Sequence, residues 1–134
     1  MSSASRQPPR VLIVDDDARV RQAIQWALEG EGFVVETAAD GQAALELAAR
    51  RPPDLVLLDM TLPTLDGYGV AQALRRDHGP ALPILAVTAD GQAPEKARRV
   101  GAYAFVRKPF ELDDLLAAVR AGLAEDAGQE TRDG

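Results

Sequence analysis

The chain has no cysteine, which excludes a disulfide framework and any thiolate metal centre. No apolar run approaches the roughly 18 residues needed to span a bilayer. Residues 1–9, rich in Ser, Pro and Arg, lack the apolar stretch of a secretory signal, so the expected location is the cytoplasm. No G-x-G-x-x-G or Walker-type lysine loop is present, and the loop after the first apolar run is acidic. A nucleotide or flavin module therefore has no support. Basic residues are in the minority, 15 against 21 acids for a net charge of −6, which argues against a nucleic-acid-binding surface. The pairs Arg75-Arg76 and Arg98-Arg99 read as solvated helix faces. The single histidine, His78, stands beside Gly79-Pro80 and reads as a helix C-terminal residue rather than a chemical one.

What is present fits one domain. At 134 residues, with 46% hydrophobic and 27% charged content, the chain can bury a sizeable core. Strand-like segments fall near 10–15, 33–38, 54–59, 82–87 and 103–107, and helical ones near 17–30, 41–51, 67–77, 93–100 and 111–124. Continuous Val/Ile/Leu runs rather than alternation indicate strands covered on both faces. Val20, Ile24, Ala27 and Leu28 share a face of the first helix, and Leu112, Leu115, Leu116, Val119 and Leu123 share one of the last. Gly30 and Gly32 stop the first helix and Pro52-Pro53 the second. Strict β/α alternation implies a parallel sheet with right-handed crossovers and helices on both faces. Residues 1–9 and the acidic stretch 125–134 read as disordered tails, the latter too short for an output domain.

Four strand-like runs end in polar groups. Val11-Leu12-Ile13-Val14 leads into Asp15-Asp16-Asp17, Leu55-Val56-Leu57-Leu58 into Asp59, Ile84-Leu85-Ala86-Val87 into Thr88-Ala89, and Phe105-Val106-Arg107 into Lys108-Pro109. In open α/β sheets the carboxyl ends of the strands carry the chemistry. Carboxylates held together repel by about 4 kcal/mol per pair at 4 Å with an effective dielectric near 20. Such a cluster must bind a cation or a proton, and hard oxygen donors without His or Cys suit Mg2+. Asp17 reads as the cap of the first helix.

In this order the set Asp15-Asp16, Asp59, Thr88-Ala89 and Lys108-Pro109 resembles the receiver domain of two-component response regulators, over roughly residues 10–124. The resemblance implies a flavodoxin-like five-stranded sheet in the order 2-1-3-4-5. It implies that Asp59 is the phosphoacceptor, receiving phosphate from a histidine kinase or histidine phosphotransfer protein. Asp16 and Asp59 would be direct ligands of Mg2+ (or Mn2+), with Asp15 acting largely through water and the Thr61 backbone carbonyl completing the set. Lys108 would neutralise the phosphoryl oxygens, aimed by a cis peptide at Pro109. Thr88 and Phe105 would form the switch pair, and Ala89 would leave room for the phosphoryl group. Thr61 and Asp90 would line the site mouth and set the phosphoryl lifetime. Phe105 lacks the hydroxyl of the tyrosine often found at its place, and a plain core role competes with the switch role there.

The expectation is a stand-alone, chemotaxis-regulator-like receiver, monomeric or weakly dimeric, with an unknown downstream protein target, no membrane and no direct nucleic-acid contact. It is a signalling domain rather than an enzyme, apart from its own phosphorylation and dephosphorylation. The alternatives are a degenerate receiver serving as a phosphorylation-independent adaptor and the receiver fragment of a longer regulator. An aspartyl-phosphate phosphatase needs a second Asp two residues after the nucleophile, where this chain has Thr61. Thr88 to Gly101 spans 13 positions, shorter than the family's usual spacing, so the fourth helix should be short and start late. Trp26 and Tyr103 read as lying off the core faces.

Overall fold

The computed structural model describes residues 8–60, 67–89 and 93–133, so Thr61 and Asp90 lie outside the described residues. Five strands alternate with five helices: β1 Arg10–Val14, α1 Ala18–Gly30, β2 Val34–Ala38, α2 Gly41–Arg50, β3 Leu55–Asp59, α3 Gly67–His78, β4 Ile84–Thr88, α4 Ala93–Arg99, β5 Ala104–Arg107 and α5 Leu112–Asp133. The strands form one parallel sheet in the order β2-β1-β3-β4-β5. The chain is thus a doubly wound α/β fold, as its alternating pattern predicts.

Successive side chains of a strand point to opposite faces, and β1 shows what that does here. Leu12 and Val14 enter a core with Val56, Leu58, Val70 and Leu74 under α2 and α3. Val11 and Ile13 enter a second core with Leu57, Ile24, Leu28, Leu115 and Val119 under α1 and α5. The central strands β3 and β4 are buried throughout, while edge strand β5 alternates half-buried and exposed residues. Unbroken aliphatic runs therefore belong to the middle of the sheet, where both faces are covered.

Helix ends follow local chemistry. Asp17 caps α1 by accepting from the backbone N–H of Arg19 at 3.0 Å and Val20 at 3.4 Å. At the other end Gly32 has φ +95°; its N–H donates to Glu29 O and that of Phe33 to Leu28 O. This pair of bonds is a Schellman closure, which a residue with a Cβ would strain. Gly79, with φ +103°, donates to Arg75 O and closes α3 just after His78. α4 has seven residues, with Pro94 in its first turn, so the short loop did shorten the helix.

Four positions differ from expectation. α5 continues past residue 124 to Asp133, because Ala and Glu/Gln sustain a helix after its apolar stripe ends. Leu112, assigned to the buried stripe, is 38% exposed in the first turn, ahead of the part of α5 that meets the sheet. Arg75 is not a solvated helix-face residue. It is half-buried, and its guanidinium donates to the carbonyls of Val100 and Gly101. Tyr103, expected off the core, packs against it: its hydroxyl donates to Ala118 O at 2.6 Å and its ring crosses α5 over Gly122. The polar tip finds a helix carbonyl while the ring covers apolar surface, and a strand-start position does not reveal that. Trp26 is 65% exposed, as expected.

The Tyr103 contact yields a prediction whose sign opposes helix propensity. Alanine normally favours a helix interior by about 1 kcal/mol over glycine. A Cβ on Gly122 meets the Tyr103 ring. Gly122→Ala is therefore expected to lower stability by about 1–3 kcal/mol in urea denaturation, and to raise it once Tyr103 is Ala. A gain in the otherwise unchanged protein would contradict the packing.

Candidate functional site

Register determines which residues meet. Val14 pairs with Leu58, so the next residues, Asp15 and Asp59, leave the sheet side by side. Asp59 pairs with Val87, one residue before Thr88. The backbone N–H of Lys108 donates to Thr88 O at 2.8 Å, placing the lysine beside the end of β4. Four consecutive strand ends, β1, β3, β4 and β5, thus bring their polar residues to one edge.

Oxygens of Asp15, Asp16 and Asp59 all lie within 4.8 Å of one another. Asp15 and Asp59 are buried and Asp16 is exposed, which gives the cluster an inner wall and a solvent side. Lys108 Nζ stands 3.0 Å from Asp15 Oδ2 and 3.6 Å from Asp59 Oδ2. Asp15 Oδ1 accepts the N–H of Asp17 at 2.9 Å. The Lys108–Pro109 peptide is cis. Thr88 is fully buried at the end of β4, and Ala89 next to it is exposed. Phe105 is 38% exposed, so its ring is on the surface rather than in the core.

Burial pushes the Asp15 carboxyl above its ordinary value, and the nearby Asp59 charge adds to that, against the opposing pull of the Asp17 N–H and Lys108. For Lys108, burial works against the ammonium, but the ion pair with Asp15 and the field of Asp59 outweigh it and raise its pKa. One ammonium thus offsets the charge of the buried acids only in part. That donor set fits a small divalent cation: all-oxygen, acidic, partly open to water and under-neutralised without one.

Arg21 was not anticipated. Its Nη1 donates to the Asp15 carbonyl at 2.8 Å, holding the turn that carries the acids. The available signal was an arginine four residues after the Asp17 cap, on the first turn of α1. A mostly apolar groove, with Lys108 in its lining, runs between Val20, Ala23 and Ile24 of α1 and Pro109, Phe110 and Leu112 of the β5–α5 segment.

A family model described as "Response regulator receiver domain" matches residues 11–120, most of the chain. The chain belongs to this family. Among curated relatives, the DNA-binding dual master transcriptional regulator RpaA of Synechocystis sp. is 42% identical over 116 residues, 84% of this chain and 48% of that protein. Response regulator MprA of Mycobacterium sp. (strain KMS) is 42% identical over 128 residues, 94% of this chain and 55% of that protein. The chain spans about half the length of the curated relatives it matches. Among solved structures, Vibrio cholerae chemotaxis protein CheY4 superposes with a TM-score of 0.80 at 32% identity, covering 87% of this chain and 99% of that one. NtrX of Brucella abortus gives 0.85 at 32%, covering 95% of this chain and 29% of that one. The receiver fold and the strand order inferred from the motif are those found.

The raised Asp15 pKa sets a pH dependence for this receiver without metal. The folded value lies above the unfolded one, so the charged form carries a cost at neutral pH that disappears as pH falls through the folded pKa. Asp15→Asn is therefore expected to stabilise the protein at pH 7 in chelator. The gain should vanish below the ordinary carboxylate range, as read by urea denaturation at both pH values. A gain that persists in acid would mean that charge is not its source.

Proposed function

We propose that this domain is a phosphorylatable switch in a two-component system, with Asp59 as phosphoacceptor. The observation that carries the reading is the under-neutralised acid cluster at the sheet edge, with Lys108 Nζ 3.0 Å from Asp15 and 3.6 Å from Asp59. An oxygen of Asp59 attacks the phosphorus of a phosphohistidine on a histidine kinase or histidine phosphotransfer protein. The P–N bond breaks as the P–O bond forms, and the imidazole, already protonated on its other ring nitrogen, leaves as a neutral ring. Asp16 and Asp59 would hold Mg2+ directly, with Asp15 acting through water and the Thr61 carbonyl completing the set. When bound, the ion neutralises charge on the phosphoryl oxygens. Lys108 contributes a second positive charge to those oxygens.

The Thr88 hydroxyl then donates to a phosphoryl oxygen, and its movement lets the surface-lying Phe105 ring turn inward and reshape the neighbouring face for a protein target. Ala89 leaves the phosphoryl group room, and Thr61 and Asp90 govern water access and so its lifetime. The apolar groove between α1 and the β5–α5 segment borders Lys108, which suits it to seat the phosphodonor protein beside Asp59. Among the described residues no helix is long and apolar enough to cross a membrane, in keeping with a cytoplasmic switch. The domain itself needs no nucleic acid and no enzymatic substrate beyond its phosphodonor.

A second reading is favoured by one finding. Since the chain covers only 48% of RpaA and 55% of MprA, the same switch would act as the regulatory part of a longer regulator, with DNA binding residing elsewhere.

Two experiments test the site. Incubation with acetyl phosphate and Mg2+ should add one phosphoryl mass to the protein and none to Asp59→Asn. An adduct retained in that variant would falsify the assignment. In a Mg2+ titration followed by calorimetry, Asp16→Ala should weaken binding at least about tenfold, while Asp17→Ala, which removes only a helix cap, leaves it nearly unchanged.

A further inference from the structure

An open groove of about 520 Å3 runs along α3 and the carboxyl-terminal part of α4. Its lining includes Tyr68, Gln72, Arg75, Arg76, Arg98 and Arg99. Its four arginines lie in the last turns of these helices, which return the chain to the start of the next parallel strand, away from the acid cluster, while Tyr68 lies in the first turn of α3. Four of the 15 basic residues gather in this groove, on a protein whose net charge is −6.

Arg75 forms the floor. Its guanidinium donates to the carbonyls of Val100 and Gly101, which fixes its charge inside the groove rather than leaving it to swing in water. Gly101, with φ +71°, makes room: a Cβ there would lie 3.0 Å from Arg75 Nη1. Asp77 partly offsets Arg76, with Oδ1 3.6 Å from Nε. Arg98 and Arg99 project into solvent from α4 and take part in no ion pair among the described residues. The Tyr68 ring is 41% exposed, its hydroxyl accepting from Gln72 Nε2 at 3.0 Å.

We infer that this groove docks an acidic segment of a partner protein. Arginine and tyrosine carry most interface energy because each combines a broad apolar surface with directed hydrogen bonds. The described basic residues of the lining are all arginines, and guanidinium groups shed water more readily and grip carboxylates with two bonds. A small inorganic anion would need an enclosed pocket, whereas Arg98 and Arg99 stand in open water. A long polyanion such as DNA meets the field of the whole acidic protein, while a short acidic segment meets mainly the local patch within a Debye length of about 8–10 Å. The arginines lie in turns away from Asp59, and this inference does not rest on the phosphoryl reading.

The test uses a short fluorescein-labelled peptide of Glu and Asp with one Leu, titrated with the full chain at low salt and read by fluorescence anisotropy. Saturable binding is expected, weakening with salt and falling at least about tenfold in Arg98→Glu/Arg99→Glu. Tyr68→Ala, a charge-neutral variant, should lose severalfold. Arg19→Glu, on α1 across the sheet, should bind like the parent, and phosphoryl uptake from acetyl phosphate should be unchanged in the double variant. Absence of saturable binding, equal loss in Arg19→Glu, or tighter binding of a DNA strand of equal charge would each overturn the inference.

Discussion

A single ammonium facing two buried carboxylates is the contact on which the functional edge depends. Lys108 reaches both Asp15 and Asp59, and neither acid has bulk water to spread its charge. Removing charges from water costs several kcal/mol per ion even after relaxation, so an aliphatic-sheet protein holds such a group only where partners converge. Here they do not fully suffice: burial still raises the Asp15 pKa. The residual imbalance is what makes the edge chemically useful, because a cation and then an anionic group can each complete what the side chains leave incomplete.

The sheet converts that electrostatic problem into geometry. Parallel strands end at the same level: β1, β3 and β4 each place one polar residue just beyond the last aliphatic one, and β5 places Lys108 two residues beyond Val106. The two cores beneath, one on each face, make those ends rigid. Arg21 and Asp17 then hold the acid-bearing turn from the helix side, one by gripping the Asp15 carbonyl and the other by starting α1. The last turns of α3 and α4 have an inverse character: they gather four arginines around a groove with no carboxylate among its described lining residues.

Much of this was legible along the chain because it is local. Aliphatic runs of four or five residues mark strands buried on both faces, and glycine or proline pairs mark where helices stop. The acids, the threonine and the lysine each follow a strand, so counting strands was enough to bring them to one edge. Long-range packing was not legible. Tyr103 looked exposed because nothing near it in sequence indicates that Gly122, on the last helix, leaves space for its ring. Leu112 fitted the apolar spacing of α5 but precedes the turns that reach the sheet. Arg75 looked like a solvated helix residue, yet it caps the end of α4 across 25 residues.

By itself the sequence determined the alternation of elements, the family motif and the kinds of groups available, since periodicity and strand-end chemistry are properties of neighbours in the chain. Only the tertiary structure decided how far Lys108 sits from each acid, which acids lose their water, that Phe105 rests on the surface, and that four arginines from two helices share one groove. Those are distances between residues on different elements. They are set by register and packing density, which short-range patterns constrain but do not specify.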